Sequence, residues 1–299
     1  MPTWNEIVEE INNQPNPFDL IRRKYVKQLS DKTGRNVLTY YSGWLQKGHL
    51  STHGFRFDIT DTDKMGFMST INGLDKTKGL DLVLHTPGGS IGATESIVNY
   101  LKSIFGNDIR AIIPQIAMSA GTMIACSCKE VLMGKHSNLG PIDPQIGIGI
   151  PAHGIIEEFD KAKAEILADS GTIPLWHTIL SKYNPTLIGE CEKAIKWSED
   201  MVKNWLKDNM FNGEGDAETK ANAVIAELGS HALTLSHDRH LSPEILKGLG
   251  LKIVDLESEQ DLQDKVLSVH HASIITLTQT SVYKIIENQE GKAYIQSVE

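Results

Sequence analysis

The chain has 299 residues, 40% of them hydrophobic, enough for one large domain or two small ones with a real core. A formal charge of −9 argues against a bulk nucleic-acid binder, and three cysteines (Cys126, Cys128 and Cys191) make no disulfide framework. The first residues carry acids where a secretion signal needs bases, and no apolar run is long enough to span a bilayer, so the expected location is cytoplasmic.

Residues 1–34 read as one or two amphipathic helices broken at Pro15-Asn16-Pro17. Within them, residues 18–29 place Arg22, Arg23, Lys24 and Lys27 among apolar side chains, a pattern open either to weak membrane-surface contact or to a solvated helix packed on its own domain. Val37–Tyr41 is a β-branched and aromatic strand, Ser51–Arg56 a loop, and Asp61–Asn72 a helix with Asp61 as its expected cap. An α/β rhythm follows: a strand at 81–85, a helix at 91–105, a strand at 109–114, a helix at 119–127 and a strand at Glu130–Met133. Residues 136–154 are dense in proline and glycine. From 155 to about 227 the pattern is helical, with breaks near Pro174 and Pro185. Leu241–Gly248 is a short helix, Leu251–Leu256 a strand and 258–276 a helix. Val282–Glu287 and Ala293–Val298 flank Asn288-Gln289-Glu290-Gly291 as a hairpin. Near-continuous apolar strands between helices imply an α/β protein whose mostly parallel sheet is covered on both faces. The organisation expected is an N-terminal helical arm (1–34) and one α/β domain (35–299) with a helical insertion at about 155–227.

Two turns carry the chemistry. Thr86-Pro87-Gly88-Gly89 stands between a buried strand and a helix, where glycines let backbone approach a ligand with no Cβ in the way. Ser119 opens the next helix among Ala117, Met118, Ala120 and Gly121, small neighbours that leave its hydroxyl reachable; an ordinary N-cap serine is the competing reading. The two lie 30 residues apart, about one strand–helix unit, so neighbouring parallel strands can bring them together. One turn then offers N–H groups to a developing oxyanion and the other a nucleophile. There is no GxGxxG and no GKS or GKT, so nucleotide binding is not expected. His231, His237 and His240 cluster with Asp238 and Arg239, but without an HExxH spacing, and no metal or other cofactor is expected.

The pair HTPGGS and AMSAGTMIA resembles the Clp-fold serine peptidases, the group of the ClpP protease and signal peptide peptidase A. With HSNLGPIDPQ, the run from Trp176 to Leu206 and KIIENQEGKAYI, the sequence is most similar to the SDH-type (serine dehydrogenase proteinase) branch over most of residues 37–299. The resemblance implies a ClpP/crotonase-like fold of repeated β-β-α units, a helical extension and a C-terminal hairpin. It also implies an ATP-independent serine endopeptidase acting on peptides or unfolded segments, assembled as a homo-oligomer. Ser119 matches the nucleophile, and the N–H groups of Gly89 and Ala120 match the oxyanion donors. Gly88 and His85 are the expected substrate-lining residues, with packing at the strand end the competing reading for His85. For the general base, relatives of signal peptide peptidase A use a lysine farther along the chain. Lys163, beside Lys161, fits the SDH-type pattern and is the first assignment. His136 helped by Asp143 is the second, with Asp143 otherwise a turn-stabilising or orienting group. Two other functions share the fold: acyl-CoA chemistry that needs no serine, and non-catalytic peptide binding or scaffolding.

Overall fold

The computed structural model describes residues 4–12, 17–147, 149–229 and 236–298. In chain order its main elements are α1 (Trp4–Asn12), α2 (Pro17–Thr33), β1 (Asn36–Ser42), α3 (Trp44–Lys47), α4 (Asp61–Ile71), β2 (Leu80–His85), α5 (Ile91–Phe105), β3 (Ile109–Ile113), β4 (Ile116–Ala117), α6 (Ala120–Cys126), β5 (Glu130–Met133) and β6 (Asn138–Leu139). They continue with β7 (Gln145–Ile146), β8 (Ile150–Pro151), α7 (Ala152–Ala168), α8 (Ile173–Leu180), α9 (Leu187–Trp205), α10 (Ala217–Leu228), α11 (Pro243–Gly248), β9 (Ile253–Asp255), α12 (Gln260–Gln279), β10 (Val282–Asn288) and β11 (Ala293–Ser297). Seven strands form the central sheet in the order β11-β10-β1-β2-β3-β5-β9. From β1 to β9 every neighbour is parallel, and the β10–β11 hairpin adds an antiparallel edge on β1.

The strands are buried on both faces, and side-chain parity decides which core each residue enters. Leu38, Tyr40, Leu82, Leu84, Ala111, Ile113, Val131 and Met133 point into one core, shared with α4, α5, α6, α9 and α10. Val37, Tyr41, Val83, Ile112 and Leu132 point into the other, closed by α1, α2 and α12. Burying a side chain of this kind is worth roughly 1.5–3 kcal/mol, and residues of one parity cannot change cores without a register slip.

The N-terminal helices form one layer of this second core, with Ile7, Ile11, Tyr25, Val26 and Leu29 buried. Their basic residues are locally compensated. Arg22 is fully buried, with a bidentate pair to Glu287 of β10 at 2.7 and 3.0 Å, while Lys24 pairs with Glu10 and Lys27 with Asp31. Helix α4 is capped by Thr60 in a capping box with Asp63, rather than by Asp61 as its position suggested. The break at Pro15–Asn16 lies outside the described residues. Among the described residues no helix is long and apolar enough to cross a membrane.

Above the C-terminal ends of the parallel strands runs a short second layer. Thr86 bridges to Ala117, β4 pairs with β6 in parallel (Ala117 opposite Leu139), and Leu139 bridges antiparallel to Leu241. This row of four rungs places the residues discussed next.

Candidate active site

Each rung delivers a functional loop. Two residues past Ala117, Ser119 takes φ 49°, ψ −112°, the one non-glycine residue with positive φ among the described residues. That combination is sparsely populated for L-residues and costs of order 1–3 kcal/mol. A serine held there is not an ordinary cap, and its side chain makes no capping hydrogen bond. The elbow turns the chain into α6 and leaves Ser119 at the mouth of a cleft.

The glycine turn that follows Thr86 packs directly on this elbow. A Cβ at Gly88 (φ +105°) would come within 2.7 Å of Ser119 Cβ and 3.2 Å of Ala120 N, so only glycine permits the approach. Behind the turn runs Ile59: its N–H donates to Gly88 O at 2.7 Å, and its carbonyl accepts the N–H of Ser90 at 2.9 Å. A trans peptide holds C=O and N–H on opposite sides. Fixing Gly88 O on Ile59 therefore turns the Gly89 N–H away from Ile59. Neither Gly89 N–H nor Ala120 N–H donates to an acceptor among the described residues. Two free donors beside one hydroxyl, the second at a helix N-terminus, form the arrangement an acyl-transfer oxyanion requires.

The cleft holds ≈580 Å³ and is lined by Asp58, Gly88, Gly89, Ser119, Pro144 and Trp197 among others, and by His237. His237 Nδ1 lies 2.9 Å from Asp143 Oδ1. The Asp143 side chain is fully buried and that of His237 is 15% exposed. Both flank the row of rungs: Asp143 lies four residues after Leu139 and His237 four before Leu241, on the two chains of the antiparallel bridge. With Nδ1–H donated to the carboxylate, Nε2 is the unprotonated nitrogen, the tautomer a general base needs.

The structure brings together Ser119, Ala120, Gly88, Gly89 and Asp143, and it adds His237, which the sequence had offered only within a polar cluster. His231 of that cluster lies outside the described residues. The other assignments fall elsewhere. Lys163 is exposed in the second half of α7 and is absent from the cleft lining. His136 is exposed in a neighbouring pocket with Trp44, Met118 and His240, beyond His237, and its ring does not line the Ser119 cleft. His85 does not line the cleft either. It shares the parity of Val83, so it faces the opposite core, sealed among Tyr41, Trp44 and His270 with ring centroids 5.5, 4.4 and 5.4 Å away. Burial with no hydrogen-bond partner lowers its pKa to about 3. Burial likewise pushes the Cys126 and Cys128 thiols up to about 12, as inert packing groups. No group of three or more His, Cys, Asp or Glu among the described residues is placed to hold a metal ion.

Residues 13–271 match the family described as ClpP-like SDH-type serine proteinase. The chain belongs to that family. The family is one of serine peptidases, and the mainly parallel α/β sheet agrees with a ClpP-like fold. Two uncharacterized proteins of Methanocaldococcus jannaschii are similar to this family member. One is 30% identical over 236 residues, 79% of this chain and 74% of the relative; the other is 30% identical over 232 residues, 78% and 71%. A solved structure of a mutant of the membrane-bound stomatin-specific protease 1510-N aligns with 70% of this chain and 79% of its own, at 18% identity and a TM-score of 0.39.

Proposed function

We propose that this chain is an ATP-independent serine endopeptidase that hydrolyses peptide bonds of peptides or unfolded segments through an acyl-enzyme on Ser119. The observation that carries the reading is the strained Ser119 elbow packed against Gly88, with the unengaged N–H groups of Gly89 and Ala120 beside it. In this mechanism Ser119 Oγ attacks the scissile carbonyl carbon while His237 Nε2 takes its proton. The carbonyl oxygen becomes an oxyanion held by the two N–H groups, and Asp143 holds the imidazolium that forms. The intermediate collapses, the C–N bond breaks, and His237 returns the proton to the leaving amine. Water then attacks the acyl ester with His237 again as base, releasing the acid and restoring Ser119.

The His237–Asp143 pair is favoured over Lys163 and over His136 because it alone lines the cleft with its orienting carboxylate in contact. The units β3–β4–α6 and β5–β6 support the finer, crotonase-like description of the fold. Exposed Leu167, Ile173 and Leu175 on α7 and α8 support self-association into a homo-oligomer. Acyl-CoA chemistry would give Ser119 no role, and a backbone strained at a serine is poor support for it.

Labelling with a fluorophosphonate, alongside digestion of unfolded casein, tests the proposal. Wild type is expected to be modified at residue 119 and to cleave casein. Ser119→Ala should lose both, and His237→Ala should lose at least about 10³-fold in labelling rate. Labelling that survives Ser119→Ala, or full activity in His237→Ala, would overturn it.

A further inference from the structure

Behind the glycine turn lies a charge pair that the proposed chemistry does not use. Lys284 of β10 is 1% exposed and Asp63 of α4 is 0% exposed. Lys284 Nζ stands 3.0 and 3.1 Å from the two Asp63 oxygens. A buried ion pair is poor value for stability alone, because well-packed hydrophobic residues often do as well. What else the two side chains hold is informative. Lys284 Nζ donates its remaining hydrogen bond, 3.0 Å, to Asp58 O. Asp63 Oδ2 accepts the Thr60 N–H at 2.9 Å and the Tyr40 hydroxyl at 3.0 Å. Ser42 Oγ donates to Phe57 O at 2.7 Å.

Three of these bonds grip one irregular segment, residues 57–60, at Phe57, Asp58 and Thr60. The fourth is Ile59, whose N–H and C=O point the other way and hold Gly88 O and Ser90 N–H. The segment is a strap between the buried pair and the glycine turn. Its inner side is fixed to β1, β10 and α4, and its outer side fixes the peptide plane whose N–H is the proposed oxyanion donor. Moving Asp58 O or Thr60 N turns the Ile59 peptides, and Gly88 O follows.

We propose that Lys284 and Asp63 are positioning residues that hold the Gly88–Gly89 peptide in the orientation an oxyanion hole needs, acting through the 57–60 strap. The inference rests on the serine-hydrolase reading for its catalytic consequence, though not for the structural one. A donor removed outright costs about 10²–10³ in rate, so a donor left in place but misaligned should cost less, on the order of 10–100-fold.

The test compares wild type with Lys284→Met/Asp63→Asn, a double variant that leaves no lone buried charge. Three readouts are taken: p-nitrophenyl acetate hydrolysis, the fluorophosphonate labelling rate, and hydrogen–deuterium exchange over residues 86–92. The expected result is kcat down about 10–100-fold with KM within about twofold, labelling slowed in parallel, and faster exchange at Ser90, whose N–H donates to Ile59 O. A folded double variant with wild-type kcat and wild-type exchange overturns the proposal. Tyr40→Phe removes one hydrogen bond from Asp63 and spares the ion pair, giving a milder perturbation; no rise in 86–92 exchange there counts against it equally. Ser119→Ala separates the two readings. If labelling fails to depend on Ser119, the hydrolase reading fails, while exchange still reports whether the pair holds the turn.

Discussion

Substituting Ser119 by glycine should stabilise the protein relative to substituting it by alanine. Both changes remove the hydroxyl, so both should abolish labelling, and they differ only in the Cβ. At φ 49°, ψ −112° that Cβ is strained by about 1–3 kcal/mol, which Ser119→Ala retains and Ser119→Gly releases. Against the release stands the extra freedom glycine has in the unfolded chain, roughly 0.5–1 kcal/mol. The net expectation is that Ser119→Gly is the more stable by about 0–2.5 kcal/mol. Urea denaturation followed by tryptophan fluorescence measures the difference through the midpoints at constant slope. If Ser119→Ala proves the more stable, the elbow is not strained, and the case for a nucleophile held there by its surroundings collapses. The comparison needs no substrate, and it probes the one non-glycine residue with positive φ among the described residues.

Other expectations concern the surroundings. Gly89→Ala would put its Cβ 2.2 Å from Ile59 N and 2.4 Å from Ile59 O, backbone atoms that cannot yield; fluorophosphonate labelling should fall at least about 100-fold. Lys163→Ala and His136→Ala should label within about twofold of wild type, and a large loss in either would move the base away from His237. His85 gives the protein an acid lability. It stays neutral in the fold down to about pH 3 but takes up a proton in the unfolded chain below its ordinary 6.5, so the unfolded state binds more protons in that window. Stability is therefore full above pH 6.5 and declines as pH falls toward 3. Between pH 8 and pH 5 the loss from this one group is about 2 kcal/mol. His85→Phe should flatten that slope in urea titrations at a series of pH values, and an unchanged slope would show that His85 is not the group responsible.

The run from β2 to β5 is legible in the sequence because its signals are local. Apolar strands alternate with helix-spaced Ile97, Val98, Leu101 and Phe105, and each tight turn is spelled in adjacent residues. For the same reason Ser119, Gly88, Gly89 and Ala120 can be read before any coordinates. His237 cannot. It meets Asp143 across 94 residues of chain, through a single antiparallel bridge between Leu139 and Leu241 that leaves no periodic trace. For His85 the sequence leaves two readings open, cleft lining and strand-end packing, and the structure shows the second. Its distance from Gly88 along the chain suggested the cleft, while its parity with Val83, already visible in the sequence, sends it to the opposite core. The strap at 57–60 has irregular backbone, and its partners Ser42, Asp63 and Lys284 come from three elements scattered along the chain, so nothing in its own residues marks it.

The position of β10 has a consequence for how the molecule is made. Until that strand pairs, β1 is an open edge carrying Leu38 and Tyr40, and Arg22 has Asp19 but not the buried Glu287 as a carboxylate partner. The strand that closes this edge comes later in the chain than every other strand of the sheet except β11, and it brings Lys284 with it. A chain folded only as far as β9 thus has neither a sealed β1 edge nor the bond from Lys284 to Asp58 O.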